Sequence, residues 1–154
     1  MFQPKEKGTR RMTDVLTPAQ RQYNMSRIRG TDTSIEVSVR KYLFNNGFRF
    51  RKNVKSLPGK PDIVLPKYHT VVFVHGCFWH RHKDCKYASI PQTNVDFWNE
   101  KFSKTVERDR LQLTKLKEMG WNVIIIWECE LKGDKFASTM EEVDKCIRNE
   151  RTRQ

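Results

Sequence analysis

Apolar residues in this chain recur at spacings that switch between those of helices and those of strands. Ile35, Val39 and Leu43 fall every fourth residue, and Thr33 followed by Glu36 has capping-box spacing, so a helix is predicted from Ser34 to Asn45, ended by Gly47. A turn-rich stretch, Leu57-Pro58-Gly59-Lys60-Pro61, precedes two β-rich runs, Asp62 to Leu65 and Thr70 to Val74, which read as paired strands. Phe102, Val106, Leu113 and Leu116 lie amid many charges between Phe97 and Met119, predicting a long amphipathic helix stopped by Gly120. Trp121 to Trp127 is short, apolar and rich in β-branched residues, the pattern of a buried central strand. Ser138 with Glu141 reads as a second capping box, opening a last helix that carries Val143 and Ile147. Helices alternating with strands predict an α/β domain, a mixed central β-sheet flanked by helices.

Residues 1–30 break this pattern. They hold seven basic and two acidic residues with few large apolar side chains, so they are expected to form a basic arm, with a short helix over Gln22 to Arg29, ahead of a single domain at 31–154. The formal charge of +12 favours a polyanionic partner, nucleic acid before membrane. No apolar run reaches the roughly 18 residues a bilayer span needs, and no apolar stretch follows the first charges, so a cytoplasmic location is expected.

In a reducing compartment the four cysteines are metal ligands or core residues before they are disulfides. Cys77, His82 and Cys85, with distant Cys129, form a soft tetrahedral donor set that suits structural Zn²⁺. Cys146 is the rival fourth ligand, though core packing in a helix is its expected role. His69, on the turn between two strands, reads as a solvated loop residue.

Pro61-Asp62 at a strand start, with Val74-His75 ending the next strand, has the frame of restriction-endonuclease-like nucleases, in which a carboxylate at the first strand holds Mg²⁺ at the scissile phosphate. That frame usually puts an acidic residue and a lysine where Val74 and His75 stand, so Val74 has only its backbone carbonyl to offer. The resemblance then narrows. Pro58-Gly59-Lys60-Pro61-Asp62, His75-Gly76-Cys77-Phe78-Trp79-His80, Phe97-Trp98, Val106-Glu107-Arg108-Asp109, Gly120-Trp121 and Trp127-Glu128-Cys129 together resemble the very-short-patch repair (Vsr) mismatch endonucleases, over roughly Asn24 to Leu131.

That resemblance implies a Mg²⁺-dependent enzyme that breaks the phosphodiester 5′ of the thymine in a T·G mismatch, beginning repair of deaminated 5-methylcytosine. It implies that Asp62 and the Val74 carbonyl ligate the ion, that His75 and Glu36 hold its waters, and that His80, oriented by Asp109, is the general acid-base group. Phe78, Trp79 and Trp98 are implied to intercalate beside the mismatch, with Met25 and Ile28 of the arm wedging in from the other groove; unstacking costs least where pairing is defective. In their polar loop, Phe78 and Trp79 are expected to be exposed. Thr105 stands where the family's best-known member has asparagine. Further implied are T·G-containing duplex DNA and a MutL-type mismatch-repair protein as partners, a monomer, and work at the bacterial nucleoid. Competing readings are a restriction-type enzyme cutting both strands on the same fold, and a non-catalytic zinc module that binds DNA. Glu36 serving only as a capping glutamate, and Asp109 as an exposed helix charge, are the rival assignments for those residues.

Overall fold

The computed structural model describes residues 16–27 and 31–152, and the chain falls into two units, residues 1–30 and 31–154. In the first, helix α1 (Pro18–Ser26) starts earlier than the composition suggested. Thr17 and Gln20 exchange side-chain and backbone hydrogen bonds as a capping box, and Pro18 occupies the first turn, where its missing N–H costs nothing. No α1 residue is buried. Met25 lies on it, 40% exposed, whereas Ile28 lies outside the described residues.

In the second unit, α2 (Ser34–Asn45) has the predicted bounds. Strands β1 (Arg51–Lys52), β2 (Ile63–Leu65), β3 (Thr70–His75) and β4 (Asn122–Trp127) form one sheet in the order β1-β2-β3-β4. The first two pairings are antiparallel and β3–β4 is parallel, so the sheet is mixed. Between β3 and β4 the chain makes the long connection that a parallel pair requires, including α3 (Val95–Glu118). Gly120 ends that helix at φ +87°, while the Trp121 N–H reaches back 3.0 Å to the Leu116 carbonyl.

Alternation along the strands sorts the core into two layers. Ile63, Leu65, Val72, Val74 and Ile126 pack with Val39 and Leu43 of α2 and with Met140, Val143 and Ile147 of α4 (Lys135–Thr152). Val64, Val71 and Phe73 pack on the opposite face with Leu116 of α3. All six residues of β3 are buried.

Three expectations need correction here. The interior strands are β2 and β3; among the described residues β4 is an edge strand paired with β3, and its apolar run reflects helices over both faces. α4 begins at Lys135, and Ser138 sits inside it with its hydroxyl donating to the Lys135 carbonyl, not at the cap. Cys146 is exposed because the neighbouring Ile147 takes the inward position. On α3, Val106 also turns outward, 45% exposed. Among the described residues no helix is long and apolar enough to cross a membrane.

Ile126, 1% exposed, joins β4 to the larger core. Ile126→Ala is expected to cost about 2–5 kcal/mol in denaturant unfolding, whereas Leu111→Ala on the outer side of α3 should stay within about 0.5 kcal/mol.

Candidate active site and metal centre

In-register pairing of β3 with β4 sets His75 beside Trp127. Carried two residues further, the same register brings Cys77 and Cys129 together beyond the strand ends. His82 Nδ1 lies 3.6 Å from the Cys77 sulfur and 3.3 Å from that of Cys129, and the ligand atoms of Cys77, His82, Cys85 and Cys129 all fall within 4.8 Å of one another. Zinc bonds of about 2.3 Å to sulfur and 2.0 Å to nitrogen put tetrahedral ligands roughly 3.5–3.8 Å apart, so this donor set fits such an ion. Burial pushes the Cys77 thiol up to about 12, so a metal taken up here displaces protons. Cys146 is not part of the group.

The two inner ligands, Cys77 and His82, bracket Phe78, Trp79 and His80 in one short loop. Arg81 braces it, donating to the carbonyls of Phe78 (3.2 Å), Ala88 (2.7 Å) and Ser89 (3.1 Å), with its guanidinium 4.1 Å from the Phe102 ring centre. Phe78 and Trp79 are half-buried, contrary to the expectation of exposure. Phe78 packs its ring against Trp79 (5.0 Å), Trp98 (5.8 Å) and Phe102 (5.2 Å), and Trp79 meets Trp98 at 6.0 Å, so the four rings form one interlocked cluster. Lys101 lies over the rings of Trp79, Phe97 and Trp98. Thr105 donates to the Lys101 carbonyl one turn back.

A second group of potential ligands consists of His75, His80 and Asp109. His75 and His80 stack with ring centres 3.8 Å apart and planes 6° from parallel. Parallel rings point their lone pairs alongside one another, which favours separate contacts over a shared ion. Asp109, on α3, accepts from His80 Nδ1 at 2.6 Å. Burial pushes its carboxyl upward, but the His80 hydrogen bond and the charges of His80, His75 and Arg108 bring it below the usual carboxylate range. An ionised acceptor at Nδ1 puts the proton there and leaves Nε2 to exchange one. Burial, with the charge of His80, lowers His75 to about 4, so its imidazole is neutral at physiological pH.

Asp62 is fixed from the neighbouring strand: its Oδ2 accepts the Val74 N–H at 2.7 Å. Burial raises its carboxyl to about 6 and the nearby Glu36 adds to the rise, against the Val74 N–H, His80 and Arg40. Glu36, 4% exposed, accepts from the Asp32 N–H (3.0 Å) and the Thr33 hydroxyl (3.1 Å), so its capping role is present. Neither Asp62 nor Glu36 joins the close group of His75, His80 and Asp109. Arg40 was not singled out by sequence; it pairs with Asp32 at 2.6 Å and reaches Glu36 at 3.7 Å. Its position four residues after Glu36 on one helix face was the available signal. His69 is no free loop residue: it is half-buried and stacks on Trp121 at 4.1 Å.

The family described as "DNA mismatch endonuclease Vsr" matches residues 13–87. The DNA mismatch endonuclease Vsr of Escherichia coli (strain K12) is 47% identical over 122 residues, covering 79% of this chain and 78% of that protein. The chain belongs to the Vsr family of DNA mismatch endonucleases. A Type II nicking enzyme, V.NmeAIP of Neisseria meningitidis serogroup A, is 50% identical over 137 residues, covering 89% of this chain and 96% of that protein. Another, V.XorIIP of Xanthomonas oryzae pv. oryzae, is 43% identical over 120 residues, covering 78% and 88%. This Vsr-family chain is thus a DNA endonuclease, and a restriction-endonuclease-like frame is consistent with its mixed sheet. Nuclease membership also suggests a divalent metal.

If the cysteine cluster holds the loop together through a metal, a strong zinc chelator should lower the melting temperature of this protein, and Cys129→Ser should lower it to a similar level without chelator. A melting curve indifferent to both would contradict a structural ion.

Proposed function

We propose that this endonuclease nicks one strand of duplex DNA on the 5′ side of the thymine in a T·G mismatch, with Mg²⁺ as its reactive ion and Zn²⁺ in the cysteine cluster. The observation that carries the reading is the arrangement at the end of β3: Asp62 is clamped to the Val74 N–H, and the adjoining His75 stacks on His80, which Asp109 orients. Asp62 and the Val74 carbonyl would hold the Mg²⁺ directly, and Glu36 and His75 would hold it through water; this suits the hard-oxygen preference of the ion. An ion held by these residues would supply Lewis-acid polarisation of the phosphoryl oxygens and offset charge as the bond breaks.

His80 moves the proton. Asp109 holds Nδ1–H, fixing the ring's tautomer and aiming Nε2 into the site, while neutral His75 stacks behind it without adding a competing positive charge. The ring cluster of Phe78, Trp79 and Trp98 supplies the wedge, and its attachment to the loop carrying His80 ties insertion to alignment of the scissile phosphate. Residues 1–30 serve as a basic arm whose Met25 and Ile28 enter the other groove, with 31–154 as the endonuclease domain. The same reading includes a monomer acting on the bacterial chromosome, a MutL-type partner, and repair of deaminated 5-methylcytosine.

The decisive assay compares strand-resolved cleavage, with Mg²⁺, of duplexes differing only in T·G versus C·G; equal cutting of both, or cutting of both strands, contradicts the proposal. His80→Ala should retain folding and mismatch binding while the nicking rate falls about 10²- to 10⁴-fold. Because Asp62 sits near 6 without metal, cation binding must displace its proton at lower pH. Apparent Mg²⁺ affinity should therefore fall by up to about tenfold per unit as pH drops below about 6, and level off above it. A Mg²⁺ titration of nicking at several pH values checks this, and a flat dependence would remove Asp62 as the ligand.

A further inference from the structure

Four rings form a continuous line from the cysteine cluster to the proton-exchanging imidazole. His82, whose Nδ1 lies among the thiols, stacks on the Trp127 indole with centres 4.2 Å apart and planes 8° from parallel. The same indole meets the His75 ring at 5.3 Å and 73°. His75 stacks on His80, and His80 bonds to Asp109. Among the described residues, Trp127 is the ring in aromatic contact with both a cluster ligand and the catalytic set.

Its placement is well fixed. Trp127 is paired with His75 by the strand register, and its backbone N–H donates to the Glu130 carboxylate at 2.9 Å. His75 is held differently. Among the described residues its imidazole has no hydrogen bond to any protein group, and rotation about the bond joining ring to side chain is intrinsically broad. Its ring plane is therefore set by packing, between the Trp127 edge contact, the His80 stack and Phe73 at 5.6 Å.

We propose that Trp127 is a positioning residue for the nicking reaction: it passes the orientation of His82 to His75, and thereby to the His75–His80 stack. The cysteine cluster then sets the catalytic imidazoles in addition to closing the loop that bears them. This rests on the roles given above to His75 and His80. Supporting groups one layer behind a reactive site are commonly worth about 10- to 100-fold in activity, because they fix ring orientation without touching substrate.

The test compares W127L with W127F, both of which leave all four cluster ligands in place. Metal analysis, melting temperature, steady-state nicking of a T·G duplex and the imidazole NMR signals of His75 and His80 in DNA-free protein are measured together. W127L is expected to retain one zinc per chain and a KM within about twofold, to lose about 10- to 100-fold in kcat, and to broaden or double the two imidazole signals. W127F, which still presents a flat face to His82, should recover most of kcat and restore single signals.

Unchanged kcat in zinc-loaded W127L overturns the proposal, as does a loss confined to KM. Loss of activity in both variants in step with lost zinc or lost folding also overturns it, since Trp127 would then be structural only. Failure of the unsubstituted protein to discriminate T·G would instead refute the proposed function, and the NMR comparison would still decide whether Trp127 orients His75.

Discussion

The parallel pairing of β3 with β4 is the constraint on which the rest of this molecule depends. Its register, running from Thr70 opposite Asn122 to His75 opposite Trp127, decides what meets beyond the strand ends. One residue of slip would reverse the faces of β4 and separate Cys77 from Cys129. The register is held by burial on both faces: Val72, Val74 and Ile126 point to one layer of helices, Val71 and Phe73 to the other. Ligand sites in sheets of this kind gather outside the carboxyl ends of parallel strands, and both ligand groups here follow that rule.

The site is built under electrostatic tension. A carboxyl raised to about 6, an imidazole lowered to about 4 and a thiol raised to about 12 all report charged forms penalised by burial. Arg40 partly offsets the carboxylates of Asp32 and Glu36. In the proposed reading a divalent cation would offset the charge of Asp62 and Glu36 as well.

Much of the architecture was legible where the signal is local. The capping pair Thr33 and Glu36 placed α2, and the two β-rich runs placed the β2–β3 hairpin, because those patterns act over a few residues. The rank of β4 in the sheet was misread, since an apolar run reports what covers a strand's faces and says nothing about its edges. Ser138 and Glu141 had the right spacing for a cap yet sit within a helix that starts at Lys135. Donor chemistry made the Cys77, His82, Cys85 and Cys129 set readable, but the His80–Asp109 pairing spans the loop and half of α3, and only the family resemblance pointed to it. Trp127 read only as a strand residue and part of a family motif because its ring contacts with His75 and His82 join distant segments, whereas the contacts of Arg40 and the loop bonds of Arg81 are local and carry no distinctive pattern.

The short stretch from Cys77 to His82 has an implication for how such enzymes can diversify. Both of its ends belong to the cysteine–histidine cluster, and Phe78, Trp79 and His80 are close neighbours between them. In the proposed reading, any inserted or deleted residue there would shift the wedge rings and the proton-exchanging group together, so the two traits would be inherited as a single unit. New target preferences must then arise from substitution within that loop, or from outside it.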